Sequence, residues 1–543
     1  MVGTFLLKEL LMNYDLGMAQ VDGKKIDFTE DDFYKTLREH DVAILKKFND
    51  KDLDNNDYFF LGINSDIMSN ALSIFINRLS GNSESIGIDN NCRAIIEAFV
   101  VLKMDASGEI TQKQKELYRY QYALVDYDNF KKALSDQEKE NDNFKKLNDD
   151  REKAIQIAME HFNCERKELN NYKFSADDPA FYLKKRLSDK ISFSRLLGRY
   201  PIFDEKSIKI YEFFSLFAHP RFEKSPDAEK GYNEIRNTYI EKVLNYVFEY
   251  LADLKFLIKD DKLPSFNDDF WFNPKLSNNV YNIRTLEQTF ILLERLLCKF
   301  DNGWDAFTWF YLEKMRYLVI DMSINVSLGY NEQACSKLKS FIEYSAVFNA
   351  VIKSDSVEEL KNIKLGYWYS SKLQVEEYLN DLGLPDANVL DKDLLKALFE
   401  AYYKNKYHVS SYEEFEKKMR ENSLYFISED EKKSYNVFCM ALIDDVFKSE
   451  EKNKFVKNIY RISKDMNHAT GYNFNASEGI WFSAPHRALI VAYDILIYFI
   501  LLTANALHEN GIERDVSVPV AQLKLFLQQH YDAYIQFVKS EMN

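Results

Sequence analysis

Glycine and proline are scarce in this 543-residue chain, at 16 and 9 residues, half or less of ordinary usage. They make turns and interrupt helices, so their scarcity argues against β-sandwich and Rossmann-like folds and predicts long helices joined by few turns. Cysteine is sparse and unpatterned: Cys92, Cys164, Cys298, Cys335 and Cys439 fall in no CxxC-like spacing. That leaves neither a disulfide framework nor a zinc site, and implies reduced thiols in a cytoplasmic protein. GxxxxGKS/T, GxGxxG after a strand, HExxH and GxSxG are all missing, so P-loop, dinucleotide, zinc-protease and serine-hydrolase chemistry is not expected. No cofactor or metal is expected either. The most apolar run, Leu489 to Leu502, holds Asp494 and at about 14 residues is shorter than a bilayer span. The N-terminus has no basic segment and no small-residue cleavage site, so neither a signal peptide nor a membrane partner is anticipated.

What the chain does have is aromatic bulk, with 41 Phe and 35 Tyr, and a formal charge of −15. The first gives each helix a large apolar payload; the second disfavours a generally basic nucleic-acid surface while leaving room for a local one. The length implies at least two domains. Composition and periodicity divide the chain into an acidic N-terminal appendage (1–55), a first helical lobe (56–258), a linker rich in Pro, Asp and Asn (259–279) and a second helical lobe (280–543). The charge run from Asp136 to Lys153 reads as a solvated helix or a spacer.

A short phrase recurs. Ile210-Tyr211 is followed by His219, and Ile459-Tyr460 by His468, in each case eight positions after the tyrosine. The second half is expected to repeat the helical order of the first, with Glu313 near the place of Glu97 and Glu400 matching Glu160. The expectation is all-α, with two similar bundles in tandem. Glu97 and Glu313 sit inside apolar helices and need partners; Arg93 and Arg316 are the nearest, and no Glu-x-x-His suggests a metal.

Chemistry concentrates in IYRISKDMNH. Arg461 and His468 are seven apart, which puts them within about 20° of one helix face and roughly 10 Å apart along the axis. Trp481, His486 and Arg487 precede the last core helix, where aromatic and basic groups could stack a base and hold a phosphate; the alternative is an aromatic plug on the core. Tyr211 and Tyr460 complete the set of candidate binding residues. The densest positive stretch, Lys184 to Pro201, could form a phosphate-facing strip or a solvated helix face.

Arg followed at this spacing by His resembles the signature of HEPN domains, helical bundles common in bacterial defence and toxin–antitoxin systems. The resemblance implies a metal-independent ribonuclease with Arg461 clamping phosphate, His468 as general acid/base and His219 contributing from the other half. Two departures weigh against catalysis. Ile462 stands where active members usually carry a polar residue, and Glu212 holds the place of the first-half arginine. The sequence therefore favours a non-catalytic interaction protein, with an RNA-cleaving enzyme as the alternative and a protein, RNA or a nucleotide as partner.

Overall fold

The computed structural model describes residues 53–79, 82–124, 142–171, 180–203, 207–217, 226–254, 274–297, 306–327, 331–353, 409–421, 435–465 and 487–542, with shorter pieces elsewhere. Apart from a two-residue antiparallel pairing of Gln20–Val21 with Lys24–Lys25, every regular element among them is helical. The chain is all-α. The expected appendage lies almost wholly outside these residues, and so does the expected linker up to residue 273.

Two hydrophobic cores organise the helices. The first gathers α1 (Asn55–Leu79), α2 (Ile86–Ala106), α3 (Gln112–Tyr120), α4 (Asp142–Phe162), α5 (Arg166–Asn171), α6 (Phe193–Arg199), α7 (Ser207–Phe217) and α8 (Pro226–Leu254). Helix α2 is its axle, packed on α1, α6, α7 and α8. The aromatic payload is visible at Phe59, Tyr118 and Tyr182, whose rings meet edge to face at 4.9 to 6.0 Å. The second core gathers α9 (Pro274–Leu297), α10 (Ala306–Ser327), α11 (Asn331–Ile352), α12 (Tyr435–Val446), α13 (Glu450–Asp465), α14 (Arg487–Glu509) and α15 (Ser517–Met542). Here α11 is the axle, packed on α10, α12, α13 and α14.

Local chemistry sets the helix ends. Thr111 and Gln114 form a reciprocal capping box at the start of α3. At the end of α2, Gly108 takes φ 75° and the Glu109 amide reaches back to Met104 O at 3.0 Å, the left-handed stop that a side chain would strain. The charge run is no spacer from Asp142 onward. It is the first part of α4, with Phe144, Leu147 and Asp150 buried. Residues 55–78 and α14 are long and apolar enough to cross a membrane by length and composition, although 78% and 67% of their apolar windows are buried in protein. The run from Leu489 thus belongs to a 23-residue helix, longer than the apolar run alone suggested.

Candidate functional site

The two cores meet where α1 and α2 face α10 and α11. A junction between two apolar bundles would ordinarily be apolar; this one is a buried polar seam. Asp321 of α10 is fully buried and accepts three hydrogen bonds. Asn77 Nδ2 of α1 donates to its Oδ1 at 2.8 Å, Asn325 Nδ2 to the same oxygen at 2.6 Å, and Ser85 Oγ to Oδ2 at 2.8 Å. Ser85 is also the N-cap of α2, accepting from the Gly87 amide at 3.1 Å. One serine therefore starts a helix of the first lobe and satisfies a carboxylate of the second.

Lys337 of α11 is fully buried and donates across the seam to Asn91 Oδ1, while Asn91 Nδ2 donates to Ser73 Oγ at 2.9 Å. Asn82 Nδ2 reaches Asn77 Oδ1 at 2.7 Å and Tyr317 O at 3.1 Å. Further out, Asn90 donates to Ser340 at 3.0 Å and Gln333 to Ser69 at 3.2 Å. The turn between α1 and α2 is clamped by Arg236 of α8. Its guanidinium meets Asp89 Oδ1, Ser83 O and Ser85 O, each at 2.7 Å.

Burial dominates the electrostatics. It pushes the carboxyl groups of Asp321 and Asp89 up, against the opposing pull of Lys337 and Arg236. It pulls the Lys337 ammonium down to about 8, with Asp321 resisting. A lysine poised near neutrality beside a carboxylate is a combination that proton-transfer sites use. Lys337 and Asp321 are nevertheless both 0% exposed, so no substrate reaches them. Their chemistry is that of a lock between lobes.

Gly87 shows how close the lobes approach. A Cβ at this position would lie 2.0 Å from Asp321 Oδ2 and 2.8 Å from Lys337 Cδ. At its start α2 also feeds Ile86 into the second lobe's core.

The residues singled out from the sequence fall elsewhere. Arg461 is exposed near the end of α13. Tyr460 beside it is 0% exposed, and Tyr211 is buried with its hydroxyl donating to Glu97 Oε1 at 2.8 Å, so both rings lie within the cores. Arg487 is buried at the first turn of α14. His219, His468, Trp481 and His486 lie outside the described residues. Glu97 takes Arg93 as partner at 3.1 Å, with the guanidinium 5.7 Å from the centre of the Tyr211 ring. Burial, and Glu97 after it, raise the Tyr211 phenol.

Glu313 is bound by Tyr317 OH at 3.3 Å, and burial raises its carboxyl. Glu160 and Glu400 bond to nearby lysines, Lys113 and Lys404. Among the described residues no three His, Cys, Asp or Glu side chains gather as a metal site would.

The seam escaped sequence reading, although a signal was there. Asn64, Asn70, Asn77, Asn90 and Asn91 recur inside long, largely apolar helices where asparagine is a poor helix former. Such residues persist where their amides bond something. No family model, curated protein or solved structure matches this chain.

Proposed function

We propose that this protein is a non-catalytic helical interaction protein, a tandem of two HEPN-like lobes locked face to face in the cytoplasm of a bacterium, with a role in defence or stress. The observation that carries this reading is the filled seam. A pseudo-dimeric nuclease needs an open cleft between its halves, and the facing surfaces here are occupied by buried Asp321, Lys337, Asn77, Ser85 and Asn91. The burial of Tyr211 and Tyr460 supports the same view, since neither aromatic ring is free to stack on a base.

Duplication of one bundle is part of the reading, in a revised register. The two axles correspond, with Ile96-Glu97 of α2 set against Ile342-Glu343 of α11; the helices before them align Ile76-Asn77 with Ile324-Asn325. These pairs and Tyr211/Tyr460 are all 246 to 249 positions apart. Glu343 therefore replaces Glu313 as the counterpart of Glu97, and Lys339, 3.9 Å from Glu343, takes the place of Arg93.

One observation favours the ribonuclease reading. Arg461 is exposed and could meet a phosphate. The two readings separate in a cleavage assay, in which purified protein is incubated with labelled single-stranded and structured RNA. The expected result is no cleavage above a buffer blank, in the wild type and in Arg461→Ala alike. Cleavage by the wild type that vanishes in Arg461→Ala would establish the enzyme instead.

A further inference from the structure

A protein of net charge −15 concentrates six cations and one anion between Lys184 and Arg199. In the structure this stretch leaves the three buried residues of a short 3₁₀ turn, Phe181–Leu183, crosses the surface of the first lobe and ends in α6. Lys185, Arg186, Lys190, Arg195 and Arg199 are exposed. Among the described residues no carboxylate pairs with Lys185, Arg186, Lys190 or Arg195, while Arg199 is held by Glu109 at 2.7 Å. The one acid within the stretch, Asp189, is engaged with the chain itself, accepting from the Arg186 amide at 2.9 Å.

A solvated charge run would be free to move; this one is fastened. Gln114 of α3 donates to Leu183 O at 3.1 Å, His161 Nε2 of α4 lies 2.7 Å from Lys184 O, and Lys103 of α2 donates to Pro201 O. Three helices thus each spend a side chain on the backbone at the two ends of this stretch. Phe193 and Leu197 bury the inner face of α6, and Leu187 and Ile191 pack against the core. Arg195 and Arg199, four residues apart, then share the outer face, separated by about 6 Å along the helix. Cations held in place this way forfeit less freedom on binding a polyanion than cations on a loose tail. Leaving Lys185, Arg186, Lys190 and Arg195 without a carboxylate among the described residues of a strongly acidic molecule makes sense if an external anion supplies the missing charge.

We propose that this strip is a docking surface for the phosphodiester backbone of single-stranded nucleic acid. The inference rests on the reading of the chain as a binding protein and gives that reading a partner class. Contacts are to phosphate, so they position the strand without selecting its sequence. With four to five phosphates neutralised, log K should fall with log salt at a slope of about −3, roughly a 60-fold loss between 50 and 200 mM salt.

The test is fluorescence anisotropy of the full chain with labelled oligo-U and oligo-dT of about 20 nucleotides and with a DNA duplex, repeated across salt concentrations. In the variant Lys185→Gln/Arg186→Gln/Lys190→Gln/Arg195→Gln the slope should drop to about −1 or weaker, with binding at low salt reduced at least tenfold. A control variant, Lys448→Gln/Lys454→Gln/Lys524→Gln, removes three exposed lysines of the second lobe and should stay within twofold of wild type. Unchanged affinity and slope in the fourfold variant would overturn the proposal. So would failure of the wild type to bind either single strand at 50 mM salt, preference for the duplex, or binding only to phosphatidylserine vesicles run as a parallel arm. Cleavage of the oligo-U in the same tubes would count against the non-catalytic reading, whereas the strip stands or falls on the slope.

Discussion

Asp321→Ala should remove on the order of 3–5 kcal/mol of unfolding free energy, the largest loss expected from any single substitution in the seam. Truncation removes the negative charge that most opposes the burial of the Lys337 ammonium and strips an acceptor from Asn77, Ser85 and Asn325 together. Each orphaned donor adds a desolvation penalty of about 1–3 kcal/mol unless the lobes shift to admit water. Asp321→Asn keeps an oxygen for the two asparagine amides and can offer its own amide to Ser85, so it should lose less than half as much. Chemical denaturation followed by circular dichroism reads both. A loss under about 1 kcal/mol for the alanine variant would mean that the seam carries little of the stability assigned to it.

Gly87→Ala gives the second large effect, and its sign is diagnostic. Within a helix whose surface met only solvent, replacing glycine by alanine would stabilise by about 1 kcal/mol. Here the added methyl would lie 2.0 Å from a carboxylate oxygen of the other lobe and 2.8 Å from the Lys337 stem. Asp321 has a short side chain fixed by three hydrogen bonds and cannot swing aside without breaking some of them. The α2 start must then back away, which also loosens Ile86 in the second core. Destabilisation of about 2–3 kcal/mol is expected, typical of an overpacked interior. A midpoint of thermal unfolding at or above wild type would show that the lobes do not approach at this point.

Much of the architecture could be read from composition. So few glycines and prolines leave little besides long helices, and the helices from Asn55, Pro226 and Asn331 run to 25, 29 and 22 residues. The pairing of Glu97 with Arg93 was legible because it is local, four residues along one helix. Its second partner was not, because Tyr211 is 114 positions away and only the docking of α7 on α2 brings them together. The seam is harder still. Its contacts join residues about 240 positions apart, and each is an unremarkable polar side chain until the opposite helix is in place.

Direct coupling between the lobes is best measured by a double-mutant cycle on Asn77 and Asp321, one residue from each core, using Asn77→Ala, Asp321→Ala and the double variant in denaturant titrations. A shared 2.8 Å hydrogen bond between two fully buried side chains predicts an interaction energy of about 1–3 kcal/mol, with the double variant distinctly less damaged than the two single losses added together. Strict additivity, within about 0.3 kcal/mol, would contradict the locked seam and with it the case against an open cleft between the lobes.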